Sequence, residues 1–340
     1  MLGNQQPYSS RQAAKGSNSP PPQDPPHQPA AKSMNPAYSP TCIIDLKKVV
    51  HSIHESKGQV VLDEKTDQWD NARHLLDVIV DEAQSLRETG ASPESIMPIL
   101  MSRLGYSETT LLGSVAAEIS RMAGDLTDQP TYHNPQHITE VILAAFSLGL
   151  REHLPPDRMG ELMIAAAAHD LGHTGGSNET PYALETRSYE LAYPVMVEKG
   201  MTEEQIDRVG QMILATDFVN GVPIVRENYL HLKSLKAKAD PGAWLTARQC
   251  LILTEADILF SCFSETYNEL LSNLLSLEWK KGRNMNYEER IGFLRSVRFL
   301  SDAATQLGLD ERRKELIESL KHKSSLIPLP PNISAHPATS

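Results

Sequence analysis

The chain has 340 residues, of which 40% are hydrophobic, and a formal net charge of -11. This length allows one large domain or two ordinary ones with tails, and the apolar share suffices for a substantial core. The acidic balance disfavours non-specific binding to nucleic acid or to an anionic membrane, because the long-range field repels polyanions. It does not exclude a small anionic substrate, since bound metal ions reverse the potential inside a single pocket.

The cysteine pattern bears on the compartment. Cys42, Cys250 and Cys262 form no CxxC pair and no disulfide framework, which favours a reducing environment. The N-terminus lacks the apolar segment of a signal peptide, and no apolar run approaches the roughly 18–20 residues that cross a bilayer. The sequence therefore predicts a cytoplasmic protein without a membrane partner.

The two ends of the chain are predicted to be disordered tails. Residues 1–40 are rich in Pro, Ser, Gln and Asn and show no period. Such a segment cannot bury enough apolar surface to offset its ordering entropy. Residues 323–340, with Pro328, Pro330 and Pro331, follow the same reasoning.

Between the tails, apolar residues recur with the period of an amphipathic helix. Only residues 59–62 resemble a short strand, so the predicted fold class is all-α, a compact multi-helix domain. Two early helices are marked by Leu75, Leu76, Ile79, Val80, Ala83 and Leu86, and by Leu111, Leu112, Val115 and Ile119.

Four helix starts carry capping signals. Two are capping boxes or resemble them, and two place a capping residue before a proline at the first helical position. In chain order these are Ser92-Pro93, Thr180-Pro181, Thr202 with Gln205, and Asn286 with Glu289.

The first stretch with chemical potential is 132–137, which contains His133 and His137. Residues four apart on a helix lie on one face, so both rings point the same way if a helix begins near them. Two polar residues at a helix start are also common without any function.

The second stretch is His169-Asp170, which follows an alanine-rich helical run and precedes Gly172, Gly175 and Gly176. Imidazole and carboxylate side by side suit Zn, Fe or Mn, and a carboxylate can bridge to a harder ion such as Mg. A helix C-terminus favours a histidine but disfavours an aspartate, so Asp170 indicates a function.

The third stretch surrounds Asp257, which lies within a strongly apolar helical segment, 251–260. A carboxylate there either lies on the solvent-exposed stripe of the helix or binds a cation, and the solvated case is commoner for a lone residue. The presence of the two preceding stretches favours the cation.

Together these residues resemble a known family. The order of a histidine, a His-Asp pair and a distant aspartate resembles the HD superfamily of metal-dependent phosphohydrolases. The fuller match over roughly residues 105–310 is similar to the class I 3′,5′-cyclic nucleotide phosphodiesterases. It runs through 132–137, 169–178, 214–217 and 256–257.

The resemblance assigns roles to individual residues. It implies His133 as general acid, His173 near the second metal and its waters, and two divalent ions (Zn, Mn, Fe or Mg). The implied metal ligands are His137, His169, Asp170 and Asp257. The implied substrate-binding residues are Tyr132, Asn178, Asp217, Arg290 and Phe293, with Thr216 beside Asp217.

Three departures from the family pattern concern the surroundings of the metals and the substrate. Gly172 stands where the family usually has a second aspartate, and no histidine follows Asp217 at the usual place. Arg290 replaces the glutamine that reads the base. An amide offers both donor and acceptor, whereas a guanidinium only donates.

The resemblance implies hydrolysis by a hydroxide between two metal ions, with proton donation from His133. The predicted division is a helical N-terminal part or cap over 41–125 and the catalytic domain over 126–322. Two alternatives stay open: an HD phosphohydrolase for another phosphoester such as a nucleotide monophosphate, and an inactive HD-fold binding module. The helices before residue 125 could pack internally or across a homodimer.

Overall fold

A computed structural model describes residues 66–125 and 130–326. The described part is built from α-helices and contains no strand, which confirms the predicted all-α class. The predicted N-terminal tail and the candidate strand at 59–62 lie outside the described residues. The helices are α1 (Thr66–Thr89), α2 (Pro93–Arg103), α3 (Leu111–Gly124), α4 (Pro135–Arg151), α5 (Pro156–Ala168), α6 (Ala183–Lys199), α7 (Glu203–Leu214), α8 (Gly221–Leu235), α9 (Pro241–Leu259), α10 (Glu265–Glu278), α11 (Tyr287–Ser296), α12 (Asp302–Gln306) and α13 (Leu309–Leu326).

Short 3₁₀ turns, Lys236–Lys238 and Phe260–Cys262, follow α8 and α9. Helix α13 runs four residues into the predicted C-terminal tail, and the rest of that tail lies outside the described residues. None of the described helices combines the length and the apolar character that crossing a lipid bilayer requires.

Three of the four predicted helix starts are confirmed. Ser92 is the N-cap of α2 with Pro93 at the first position, and capping boxes open α7 at Thr202 and α11 at Asn286. The start at Thr180-Pro181 is wrong, because α6 begins at Ala183 after Tyr182, whose φ of 64° is incompatible with a helix. Hydrogen bonding of the Tyr182 backbone to Asp217 holds this turn.

Helix α5 lies at the centre of the core. Its residues 165–168 are alanines with no exposed surface, and their small side chains let α3, α4 and α7 pack closely around it. Helix α9 packs on α4 and α8. The buried apolar residues of α1–α3 belong to the same core cluster as residues of α4, α5 and α9. This core sets the positions of the ends of α4, α5 and α9, where the polar residues of interest lie.

Candidate metal and phosphoester site

Three helices each contribute to one cluster of histidines and aspartates. His137 lies in the first turn of α4, whose N-cap Asn134 accepts hydrogen bonds from the backbone of Gln136 and His137. His169 follows α5 directly, and Asp257 lies in the last turn of α9.

The side chains of the four predicted ligands converge. His137 Nε2 lies 3.0 Å from Asp257 Oδ1 and 3.4 Å from Asp170 Oδ2. His169 Nε2 lies 3.2 Å from Asp170 Oδ2 and 3.7 Å from Asp257 Oδ1. Ligand atoms of His137, His169 and Asp257 all lie within 4.8 Å of one another, a spacing that one metal ion can span.

The protonation of His169 indicates what this cluster binds. Its Nδ1 lies 2.9 Å from the carbonyl oxygen of Ala166. A carbonyl only accepts, so Nδ1 donates and the neutral ring presents a bare Nε2. That lone pair faces the oxygens of Asp170 and Asp257, and within the described residues His169 Nε2 and Asp170 Oδ2 are buried without a hydrogen-bond partner. Acceptors that face one another in a buried site fit a cation between them.

The electrostatics of the cluster point the same way. Burial is the largest influence on His169 and lowers its pKa, but the carboxylates of Asp170 and Asp257 raise that pKa well above its ordinary value. Burial likewise raises the pKa of each aspartate, and the neighbouring histidines outweigh it and lower the pKa of both carboxyls. The site therefore favours added positive charge.

A second cluster lies beside the first and includes a residue that sequence reasoning missed. Glu278, the last residue of α10, accepts a hydrogen bond from His133 Nδ1 at 2.6 Å through Oε1. Its Oε2 accepts from the backbone N–H groups of Tyr132 at 2.8 Å and His133 at 3.1 Å. These three bonds hold the pKa of Glu278 at about 2, although burial alone raises it.

His133 lies before the N-cap of α4, so the helical period does not orient its ring. Glu278 does so instead, and Nδ1 carries the proton that it donates to this carboxylate. Burial lowers the pKa of His133, but Asp170, Glu278 and Asp257 together raise it above its ordinary value. These carboxylates favour the protonated ring, in which the second N–H lies on Nε2.

His173 stacks on His133 with ring centroids 3.5 Å apart. The backbone N–H of Gly175 donates to His173 Nδ1 at 3.1 Å, so the neutral ring carries its proton on Nε2. Burial, together with the positive charge of His133, lowers the pKa of His173 to about 4. The pKa values of the two stacked rings are therefore shifted in opposite directions.

Tyr132 packs between the two histidines around which the site is built. Its ring centroid lies 4.7 Å from that of His133 and 4.7 Å from that of His137. Its hydroxyl hydrogen-bonds to Ser261, and burial raises its pKa well above its ordinary value. The ring therefore supports both imidazoles.

Asn178 and Asp217 are brought together, and both are engaged within the protein. Asn178 Nδ2 donates to Asp217 Oδ2 at 3.1 Å and to Glu185, while its Oδ1 accepts from the backbone of Leu184 at 2.8 Å. Asp217 also accepts from three backbone N–H groups and from the amide of Asn220. The pair ties the loop after His173 to the loop after α7.

Arg290 is buried, and its guanidinium is occupied. Its Nε donates to Asn268 Oδ1 at 2.6 Å, Nη2 donates to the carbonyl of Glu265 at 3.3 Å, and Nη1 lies 3.8 Å from Glu269. Phe293, one turn further along α11, stacks on Phe218 with centroids 5.7 Å apart.

The sequence and the fold were compared with known proteins. No family model and no curated protein matches the sequence. A yeast caPDE2 structure in complex with IBMX is 15% identical with a TM-score of 0.50, over 81% of this chain and 76% of that one. LmjPDEB1 in complex with IBMX is 14% identical with a TM-score of 0.53, over 86% of this chain and 99% of that one.

The chain has the fold of the class I cyclic nucleotide phosphodiesterases. Identities this low establish the fold alone. The fold agrees with the resemblance that the His-Asp motifs carry.

One feature of the sequence could have indicated Glu278. A carboxylate in the last turn of a helix is disfavoured by the negative end of the helix dipole, the same argument that singled out Asp170. Trp279-Lys280-Lys281, immediately beyond Glu278, ends the helix and places basic residues where the dipole favours them. Glu278 is the exception in that turn, and its partner lies 145 residues away in the sequence.

Proposed function

We propose that this chain is a metal-dependent phosphodiesterase that hydrolyses a 3′,5′-cyclic nucleotide or a related phosphodiester. The observation that carries the proposal is the bare Nε2 of His169 facing two carboxylates in a buried site. With a neutral ring, buried acceptors face one another there, whereas a purely structural core pairs buried acceptors with donors.

The proposed metal ligands are His137, His169, Asp170 and Asp257. These four suffice for one divalent ion, and a second ion would share Asp170 and draw its other ligands from solvent, as Mg and Mn readily do. Bound divalent ions acidify water and neutralise charge on phosphoryl oxygens.

His133 is the proposed general acid. Glu278 accepts from its Nδ1 and favours the protonated ring, which leaves the proton on Nε2 for the leaving alkoxide of the ester. Because Glu278 also accepts from the backbone of Tyr132 and His133, the ring and its main chain are held by one carboxylate. Such fixed geometry lowers the cost of reaching the transition state.

His173 is proposed to remain neutral and to donate through Nε2–H. The bond from the Gly175 N–H blocks its other nitrogen, so the ring can donate to a phosphoryl oxygen or a water but cannot accept a proton at Nε2. In this proposal His133 transfers a proton to the leaving group, whereas His173 only donates a hydrogen bond.

The substrate is proposed to be a small molecule. The two solved structures described above are complexes with IBMX, which supports a small organic ligand in this fold. Asn178 and Asp217 are expected to act by holding the loops around the site, since their polar atoms are engaged with each other and with backbone. Phe293 is the proposed contact for a planar ring.

A second candidate function rests on Arg290. Because Asn268 and Glu265 accept from its guanidinium, it does not offer the paired donor and acceptor that recognise a purine edge. This favours a phosphoester hydrolase that selects little at the base, and nucleotide monophosphates belong among the substrates tested.

The deciding experiment measures phosphate ester hydrolysis by metal-free protein resupplied with Mn, Mg or Zn. Cyclic AMP, cyclic GMP and the corresponding monophosphates form the panel. Asp257→Ala should lose nearly all turnover, whereas Asp302→Ala, which removes a surface aspartate paired with Lys233, should keep it. Metal binding without hydrolysis of any ester would overturn the proposed activity and favour the inactive binding module.

A further inference from the structure

A buried group of three residues joins three helices beside the site. Glu140, on α4 one turn after His137, is 1% exposed. Its Oε1 accepts from Arg87 of α1, whose Nη2 lies at 2.6 Å and Nε at 2.8 Å, and from the hydroxyl of Tyr267 of α10. The guanidinium of Arg87 also lies 5.8 Å from the centroid of the Tyr267 ring.

Helix α10 is therefore tied to the start of α4 at two points. Tyr267 contacts Glu140 near the beginning of α10, and Glu278 contacts Tyr132 and His133 at its end. Residues 267 and 278 are eleven apart, about three helical turns, so they lie on one face of α10. Both contacts are made by that face, so a displacement of α10 at Tyr267 changes how closely Glu278 approaches His133.

Arg87 supplies the positive charge that compensates the buried carboxylate of Glu140, the group to which Tyr267 donates. Within the described residues, Glu140 Oε2 has no hydrogen-bond partner. The cation that pairs with this buried carboxylate is the guanidinium of Arg87, whose nitrogens lie 2.6–2.8 Å from Oε1. Removing one partner of a buried pair leaves an uncompensated charge, which the surroundings relieve by admitting water or by shifting. A displacement of Glu140 is passed to helix α10 through the hydroxyl of Tyr267, which is the hydrogen bond between α10 and this carboxylate.

We infer that Arg87, Glu140 and Tyr267 are positioning residues: they set the placement of α10 so that Glu278 reaches His133. The inference rests on the proposed function for its catalytic consequence. Its structural consequence, the engagement of Glu278, is measurable without any turnover.

The test compares Arg87→Met and Tyr267→Phe with wild type in metal-loaded, full-length protein. Hydrogen exchange at the amides of Tyr132 and His133 reports directly on Glu278, because both amides donate to it. We expect exchange there to rise about tenfold in both variants through local opening. We also expect kcat to fall about tenfold at nearly constant KM, with metal content intact, as displacement of a positioned group predicts.

A matched control separates positioning from general loss of stability. Arg248 pairs with the buried Glu152 at the far end of α4 at 2.6 Å, and a backbone N–H of Ala303 also donates to that carboxylate. Arg248→Met therefore leaves a comparable buried carboxylate, but away from Glu278. Protection of Tyr132 and His133 should be unchanged in it. The double variant Arg87→Met/Glu140→Gln, which removes both charges, should regain most of the lost protection and kcat.

Unchanged exchange at Tyr132 and His133 in Arg87→Met and Tyr267→Phe would overturn the inference, as would equal losses in Arg248→Met. If Arg87→Met does not fold, Tyr267→Phe and the double variant decide, because neither leaves the full ion-pair charge unbalanced. A wild-type protein that turns over no phosphoester contradicts the proposed function alone, since the exchange measurements still decide whether the group positions Glu278.

Discussion

His169 shows how one ring can define a binding site. Its Nδ1 donates to a carbonyl of its own helix, so in the neutral ring Nε2 carries no proton and is directed at Asp170 and Asp257. The alternative, a doubly protonated ring between two aspartates, satisfies the same geometry with a proton in place of a metal ion. In both cases the buried site requires a positive charge, and the fold supplies none from lysine or arginine at these distances within the described residues.

At the same scale, the proposed acid His133 and its partner Glu278 lie outside the proposed ligand set, so substitutions there can separate proton transfer from metal binding. His133→Gln should slow turnover by about 10²–10⁴-fold, the usual contribution of a positioned acid. Glu278→Gln should slow it less, since an amide oxygen still accepts from Nδ1 but no longer favours the charged ring. Steady-state kinetics alongside metal analysis measures both effects.

Neither variant should lose metal, because neither residue belongs to the proposed ligand set. Retained turnover in His133→Gln would remove that residue from the acid role. Loss of bound metal in either variant would move the second cluster, His133, His173 and Glu278, into the metal site, since its ligand atoms also lie within 4.8 Å of one another.

At the scale of helices, Gly172 sets how closely the end of α5 approaches α6. A Cβ placed there would lie 2.7 Å from the backbone nitrogen of Ser188, and the N–H of Gly172 donates to the Ser188 hydroxyl at 3.0 Å. The residue type at 172 is therefore a packing requirement in this chain. An aspartate at this place would need α6 to lie further away.

Gly172→Ala should consequently destabilise the protein by about 1–3 kcal/mol, the usual cost of forcing a methyl group against neighbouring backbone. Gly292→Ala is the matched control: it lies within α11, and a Cβ there meets nothing within 4 Å. That control should stabilise by about 0.5–1 kcal/mol, because alanine loses less backbone entropy. Denaturant unfolding of both variants measures the contrast, and equal effects would refute the packing argument.

At the scale of the whole molecule, the site joins the central helices α4, α5 and α9. A cation that binds only when these helices are assembled stabilises the folded state through mass action. The aspartates concerned lie in a chain whose net charge is -11. Metal binding should therefore stabilise the entire helical core and not a single loop.

Thermal unfolding tests this expectation. At about one hundred times its Kd, Mn should raise the free energy of unfolding by about 2.7 kcal/mol, and a chelator should reverse the gain. Asp257→Ala should show a much smaller metal-dependent shift. An identical shift in that variant would mean that the stabilising ion binds elsewhere.

Much of this protein's secondary structure could be predicted from local patterns in its sequence. The apolar stripe of α1 and the capping boxes at Thr202 and Asn286 were predictable because helix phase and helix capping depend on residues three or four apart. The residue types of the proposed ligands were recognisable for a related reason. A carboxylate such as Asp170 or Asp257 in an apolar helix breaks the local pattern and thereby shows itself.

Tertiary structure alone decided which residues meet. The chain has 43 acidic residues, and nothing local to Glu278 pairs it with His133, 145 positions away. The same holds for Arg87 with Glu140 and for Arg290 with Asn268, which are 53 and 22 positions apart. Side-chain orientation and hydrogen-bond partners depend on how the helices pack in space. The sequence pattern does not specify the distances between residues that are far apart along the chain.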